Sequence, residues 1–523
     1  MPDRDPAYEV EAYSPDRLIQ ILVSKSDASK ARVKNKTHLS YLDGYFQKLD
    51  AKTILIENDY FDRDYLEDYA AYYARCFHQY ERRCTRLHFF TTQFDRERFS
   101  ALLRAEKGAI SVKELRESYL GFMVVRPLPS TIIGRTCLKT YPEEERRSFP
   151  TTREYEANLF GISLPVDSLA FQEQDQAVAA CATSALWSAF HKTGLLFQHP
   201  IPSPVEITQA ANERFPLASR GIPSKGLTVE QMAGAIRAVG LEPFLIDVSD
   251  ITIFKKIIYA YASAHIPVLL LFKLYCVHDP KPPDDPKPPE YIGLHAVTVA
   301  GFSIPAQHSE NTSIWRCERM DKIYVHDDQV GPFARMELDG KNLVVEDQDV
   351  FSLGSAWSPK HRAVPTFALA PLYHKIRLPI DDPLKDITVL ADFLGGVASL
   401  LPHEPTLKGF EFDLRLSSLN DFRADCIKCG QIKGKPLEEI VCESNPRFIW
   451  RVTLRQNGVP CMDFLYDATD IQQGLFFLRG VEYNAQIRPF LKTLVDYPPF
   501  RPFLAERTTQ SIEFIRSEGD NPS

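Results

Sequence analysis

Between Ser168 and Leu372 the hydrophobic period of the sequence changes once, and that change limits the folds open to it. Helical signals come first. Cys181 to Lys192 reads as a helix closed by Gly194, a proline-rich connection QHPIPSPVE follows, and Pro204 to Phe215 reads as a second helix. In GLTVEQMAGAIRAVG, Thr228 is an N-cap, Gln231 stands in the capping-box position and Gly240 ends the helix. Extended apolar runs take over at Ile266–Cys276, Leu294–Ile304 and Lys322–Val325. Helices followed by strands predict an α+β layer arrangement, because each element must bury its apolar face against another.

The chain is 523 residues long, which corresponds to about three domains. The expected division is 1–167, 168–372 and 373–523, with mixed α/β accessory domains on either side of the central one. In the first section, SKSDASKARVKNKTH (Ser24 to His38) reads as a basic loop or flexible arm, and Tyr65 to Cys84 as a packed helix. ESYLGFMVVRPLP and STIIGRTCLKTY read as two strands joined by a turn. In the last section, IRLPI, FEFDLRL and RFIWRVTLRQNGVPCMDFLYDATD are extended runs. Asn457-Gly458 marks a hairpin, since both residues tolerate the positive φ of a type I′ turn. The tandem DPKPPD, DPKPPE at Asp279 to Glu290 reads as a stiff, exposed hairpin insertion, and the closing SEGDNPS as a frayed tail.

A net charge of -8 gives no electrostatic reason to expect nucleic acid. The longest apolar runs, such as IPVLLLF at Ile266 to Phe272, are far shorter than a membrane span, so no membrane partner is expected. The first twenty residues contain charges throughout and no signal-peptide core, and the ten cysteines are scattered along the chain. The expectation is a cytoplasmic protein with reduced thiols.

One of those thiols stands apart. In QEQDQAVAACATSALWSAFHKTG (Gln172 to Gly194), Cys181 opens a helix among small residues, where the positive end of the helix dipole favours a thiolate. A base must come from another element. His295 in GLHAVTVAGF stands at the entry to an apolar strand, and KIYVHDDQVGPF supplies a carboxylate to orient its ring, Asp327 or the adjacent Asp328. His326, beside those acids, reads as a surface or supporting group.

A glutamine upstream of a cysteine that opens a long helix, a histidine at the start of a later strand and an aspartate at the end of the next resemble the papain-like cysteine peptidases. The nearest likeness is to the double-glycine leader peptidases of bacteriocin exporters. The resemblance covers residues 168–372. It implies a papain-like cysteine protease domain in which Cys181 is the nucleophile, His295 the base and Asp327 the orienter. A glutamine, Gln174 or Gln176, would donate to the oxyanion. The family places that glutamine six residues before the cysteine, where this chain has Asp175, and has a glycine beside the cysteine where this chain has alanines.

The implied activity is hydrolysis of a peptide or isopeptide bond in a protein or peptide substrate, with no cofactor and no metal. A regulatory protein partner would engage the flanking sections. The same site would also serve a deamidase or transamidase, and an inactive adaptor is the rival from another class. Elsewhere, Cys426 and Cys429 of DCIKCG lack the second pair a closed zinc site requires, and read as ordinary thiols. Cys76 and His78 would project from different faces of a helix, and Asp467 and Asp470 of YDATD read as turn chemistry.

Overall fold

The computed structural model describes residues 6–175, 177–214, 222, 226–277, 288–306, 314–355, 358–470, 476–504 and 509–517. Helix and strand are mixed throughout, as an α+β chain requires. Two compact units emerge. The first takes in Met1–Ser249, His265–Gly301 and Lys322–Pro371, and the second Asp250–Ala264, Phe302–Asp321 and Leu372–Ser523. The expected boundary at 167/168 therefore falls inside the first unit.

In that unit, five antiparallel strands lie in sequence order: Tyr8–Ala12, Thr53–Tyr60, Cys84–Phe90, Tyr119–Val125 and Ile133–Leu138. The third and fourth are buried at every residue, so both faces of the sheet are covered. Alternation sorts their side chains. Ile54, Ile56, Phe89 and Met123 enter one core with Leu42 and Phe46, while Leu55, Phe90, Phe122 and Val124 enter another. That second core also holds Leu186, Trp187 and Phe190 of the Cys181 helix, which is why the N-terminal section does not stand apart.

An eight-stranded sheet completes the first unit's framework. Its order is Val268–Cys276, Glu290–Ser303, Lys322–Asp327, Gly331–Glu337, Leu353–Ser355, Ser358–Tyr373 and Leu241–Asp247, with Arg147–Ser148 against the second of these. Because Val268–Cys276 also pairs with Ser358–Tyr373, six of the strands close into a ring.

In the second unit, four antiparallel strands follow one another: Phe410–Ser418, Phe448–Gln456, Val459–Asp467 and Phe477–Glu482. Asn457 and Gly458, at φ 50° and 81°, make the expected tight turn. Within the sheet, Arg451 donates to Asp463 at 2.7 Å, as does Tyr483, which leaves a buried charge fully engaged. Among the described residues, no helix is long and apolar enough to cross a membrane.

Several local expectations are corrected. Ser24 to His38 is not a loose arm: it holds the helix Lys30–Lys34, capped by Ser29, and Val33 is completely buried. The helix expected over Tyr65 to Cys84 spans only Arg63–Ala71. Phe77 stays fully exposed and Cys84 opens a buried strand, so tertiary pairing overrides local helix preference. Gly194 does not end its helix, which runs to Phe197 before Gln198 turns left-handed at φ 57°. A Cβ at Gly194 would lie 2.9 Å from Ile201, so this glycine admits the returning chain. IRLPI is not a strand but leads into the helix Asp381–Leu400. The proline tandem, apart from Pro288 to Glu290, and the tail beyond Ser517 lie outside the described residues.

Candidate active site

The helix Cys181–Phe197 begins without a side-chain cap, because Ala180 at the N-cap position has no polar atom to offer. Its leading N–H groups and the positive dipole end are thus left at Cys181 for an incoming anion. Cys181 is partly exposed while the helix behind it is buried. Side chains anchor that buried face. The Trp187 indole donates to Asp64 Oδ2 at 3.2 Å, and Arg135 meets the same oxygen at 3.2 Å. Thr183 and Thr208 share a hydrogen bond of 3.1 Å, and Thr208 donates to the Val178 carbonyl at 2.7 Å, holding the chain that enters the helix.

Thr298 provides the link to the base. On the strand Glu290–Ser303, its hydroxyl donates to the Ala185 carbonyl at 2.6 Å, three residues along from His295. The His295 ring is buried and meets the edge of Phe272 at 5.4 Å, and the Cys181 thiol is close enough to help raise its pKa. Its Nε2 donates to Asp327 Oδ1 at 3.0 Å. With Nε2 so committed, Nδ1 is the nitrogen that serves the thiol.

Asp327 ends the strand Lys322–Asp327 and is clamped by a second donor, the Gln329 N–H at 3.0 Å to the same Oδ1. Burial favours its neutral form, but His295 and the Gln329 N–H outweigh that and hold the carboxyl below its ordinary range. Burial also presses the His295 pKa down, yet Asp327, the thiol and Asp328 together raise it well above the usual imidazole value. Asp328 behaves oppositely. Its carboxyl lies 3.7 Å from His295 Nε2, its Oδ2 is buried without a partner, and burial together with the neighbouring Asp327 charge pushes it up to about 7 despite the His295 charge. One acid held low and one pushed up therefore face the same ring.

Two supports escaped sequence reasoning. His38, in the segment expected to be an arm, is buried and neutral, and hydrogen-bonds the Asp328 carbonyl at 2.8 Å. Lys36 pairs with Glu173, which also accepts the Ile133 N–H at 3.2 Å. Both are short-range consequences of long-range packing, so no local pattern marks them.

Of the glutamines expected to complete the site, Gln174 is half-buried and its amide makes no hydrogen bond among the described residues. Gln176 lies outside them. Asp175, in the position where a glutamine was looked for, is buried, accepts the Tyr73 hydroxyl at 2.7 Å and accepts the Ala177 N–H at 2.8 Å. It braces the loop and does not present an amide donor. His326 is corrected from a surface group to a core one: burial lowers its pKa to about 3, and its ring meets the edge of Phe333 at 4.7 Å.

His295, Asp327 and Asp328 each offer a ligand atom within 4.8 Å of one another, so this cluster could also hold a metal ion. The metal would compete with the proton on Nε2. Cys426 and Cys429 join no comparable group among the described residues; Cys426 packs against the Tyr483 hydroxyl at 3.5 Å. Asp467 accepts the Thr469 N–H and hydroxyl in a turn. No family model matches the chain, and no curated protein matches it.

Proposed function

We propose that the chain is a cysteine hydrolase of the papain-like kind, most specifically a peptidase acting on a protein or peptide. One observation carries the reading: a buried histidine hydrogen-bonded to a buried carboxylate, with a cysteine at a helix N-terminus close enough to help raise its pKa. The raised pKa of His295 suits the ring to take the thiol proton, which lowers the cost of nucleophilic attack. Cys181 adds to the amide carbonyl, and the uncapped helix N–H groups receive the developing oxyanion, with Gln174 as the side-chain donor. His295 then protonates the departing amine. Water attacks the thioester with His295 as base, and Cys181 is regenerated.

All ten cysteines are free, which suits a reducing compartment such as the cytoplasm. Asp175 favours a second reading, an inactive adaptor, because an acid occupies the expected place of an amide donor. Incubation with a peptide library and mass analysis of the products separates the possibilities. Peptide hydrolysis splits the substrate, whereas deamidation on the same site adds about one mass unit. Products that vanish in Cys181→Ala support the hydrolase; unchanged peptides across a broad library favour the adaptor.

A further inference from the structure

Away from Cys181, the first unit contains two adjoining hollows of about 200 and 240 Å³ that share Lys48, Tyr141 and Arg335. The space is enough for several waters or a small ligand. Its walls are tyrosines held in place by one another. The Tyr41 and Tyr141 hydroxyls are 3.0 Å apart, Tyr41 also donates to the Pro332 carbonyl at 2.5 Å, and the Tyr45 and Tyr141 rings pack at 4.7 Å. Three cations converge there, Lys48, Arg147 and Arg335.

Only Arg147 is compensated. It pairs with Glu144 at 3.0 Å and donates to the Tyr324 hydroxyl at 3.0 Å. Lys48 and Arg335 have no carboxylate partner among the described residues; each instead sits over the Tyr141 ring, at 5.5 and 5.9 Å. The Arg335 Nε is buried with no hydrogen-bond partner. Burial, together with Arg335, Arg147 and Lys322, outweighs the opposing charge of Glu144 and makes the Lys48 ammonium easier to deprotonate. The hollow gathers three cations against one carboxylate, Glu144, which Arg147 engages, so its charge favours a further anion, and a guanidinium beside an ammonium matches tetrahedral phosphate oxygens better than a spherical halide.

We propose that this hollow is a binding site for a phosphate group, held between Lys48 and Arg335 with Arg147 at its edge. The group is either free orthophosphate or the head of a small phosphomonoester. Titration calorimetry on the full chain at constant ionic strength tests this, with orthophosphate, glycerol phosphate and chloride as the three probes. Saturable binding of either phosphate but not of chloride is expected. Orthophosphate binding as tightly as the ester identifies the free ion as the occupant, and tighter binding of the ester identifies a metabolite. Lys48→Gln, at an exposed helix end, and Arg335→Gln should each weaken phosphate binding by about tenfold, with Arg335→Lys retaining part of it. No saturable phosphate binding, or binding undiminished in both Gln variants, overturns the proposal.

Discussion

The charge on His295 is shared between two carboxyl groups, so removing one should be largely made good by the other. At an effective dielectric of about 20, Coulomb's law gives about 5.5 kcal/mol between the imidazolium and a carboxylate at 3.0 Å, the Asp327 distance. At the 3.7 Å distance of Asp328 the same expression gives about 4.5 kcal/mol. In the native protein Asp328 holds its proton to about 7 because Asp327 is already ionised beside it in a buried site. Once Asp327→Asn removes that charge, Asp328 ionises instead. The His295 pKa should then fall only slightly, because the two carboxyl oxygens lie at the similar distances of 3.0 and 3.7 Å. Asp327→Asn combined with Asp328→Asn removes both carboxylates that face the ring, and the fall should be much larger. Proton titration of isotope-labelled histidines reads this directly, with His295→Gln assigning the signal among thirteen histidines. A single Asp327→Asn change as large as the double one would refute the shared-charge account.

Three further outcomes follow from the same geometry. A Cβ on Gly331 would lie 2.3 Å from the Tyr41 ring, which the Pro332 carbonyl and Tyr141 hold in place, so Gly331→Ala should destabilise by about 1–3 kcal/mol; an unchanged melting temperature would contradict this. Thr298→Val removes the buried hydroxyl that ties the His295 strand to the Cys181 helix, and urea unfolding should report a loss of about 1 kcal/mol. Equal stability would show that the tie contributes nothing. Asp328 binds its proton more tightly folded than unfolded, so its contribution to stability is present below about pH 4 and is lost as pH rises through about 7. Asp328→Asn should flatten the decline in melting temperature over that window, and an identical slope in both proteins would count against it.

How much of this was legible in the sequence depended on how local the cause was. The Thr228 cap with Gln231 and the Asn457-Gly458 turn are set by neighbouring residues, and both stand where the sequence puts them. The strands Tyr119–Val125 and Ile133–Leu138, read from alternation, pair antiparallel. Cys181 and Asp327 stand at a helix start and a strand end, where local signals place them, whereas His295, read at a strand entry, stands inside the strand Glu290–Ser303, whose first residues the polar and glycine-containing sequence conceals. Ser24 to His38 failed for the opposite reason. Its polar composition conceals Val33, Lys36 and His38, whose burial depends on partners as distant as Glu173 and Asp328. Gly194 misled because a glycine at a helix end and a glycine admitting a crossing chain look alike in sequence.

The central claim is that Cys181 is an activated nucleophile, and its rate of alkylation at mildly acidic pH tests that most directly. Cys442, which is exposed and distant in sequence, provides an internal reference within the same sample. Iodoacetamide at pH 6 followed by peptide mass analysis should find Cys181 modified well ahead of Cys442, with the lead abolished in His295→Ala. Cys181 reacting no faster than Cys442, or equally fast without His295, would contradict the account.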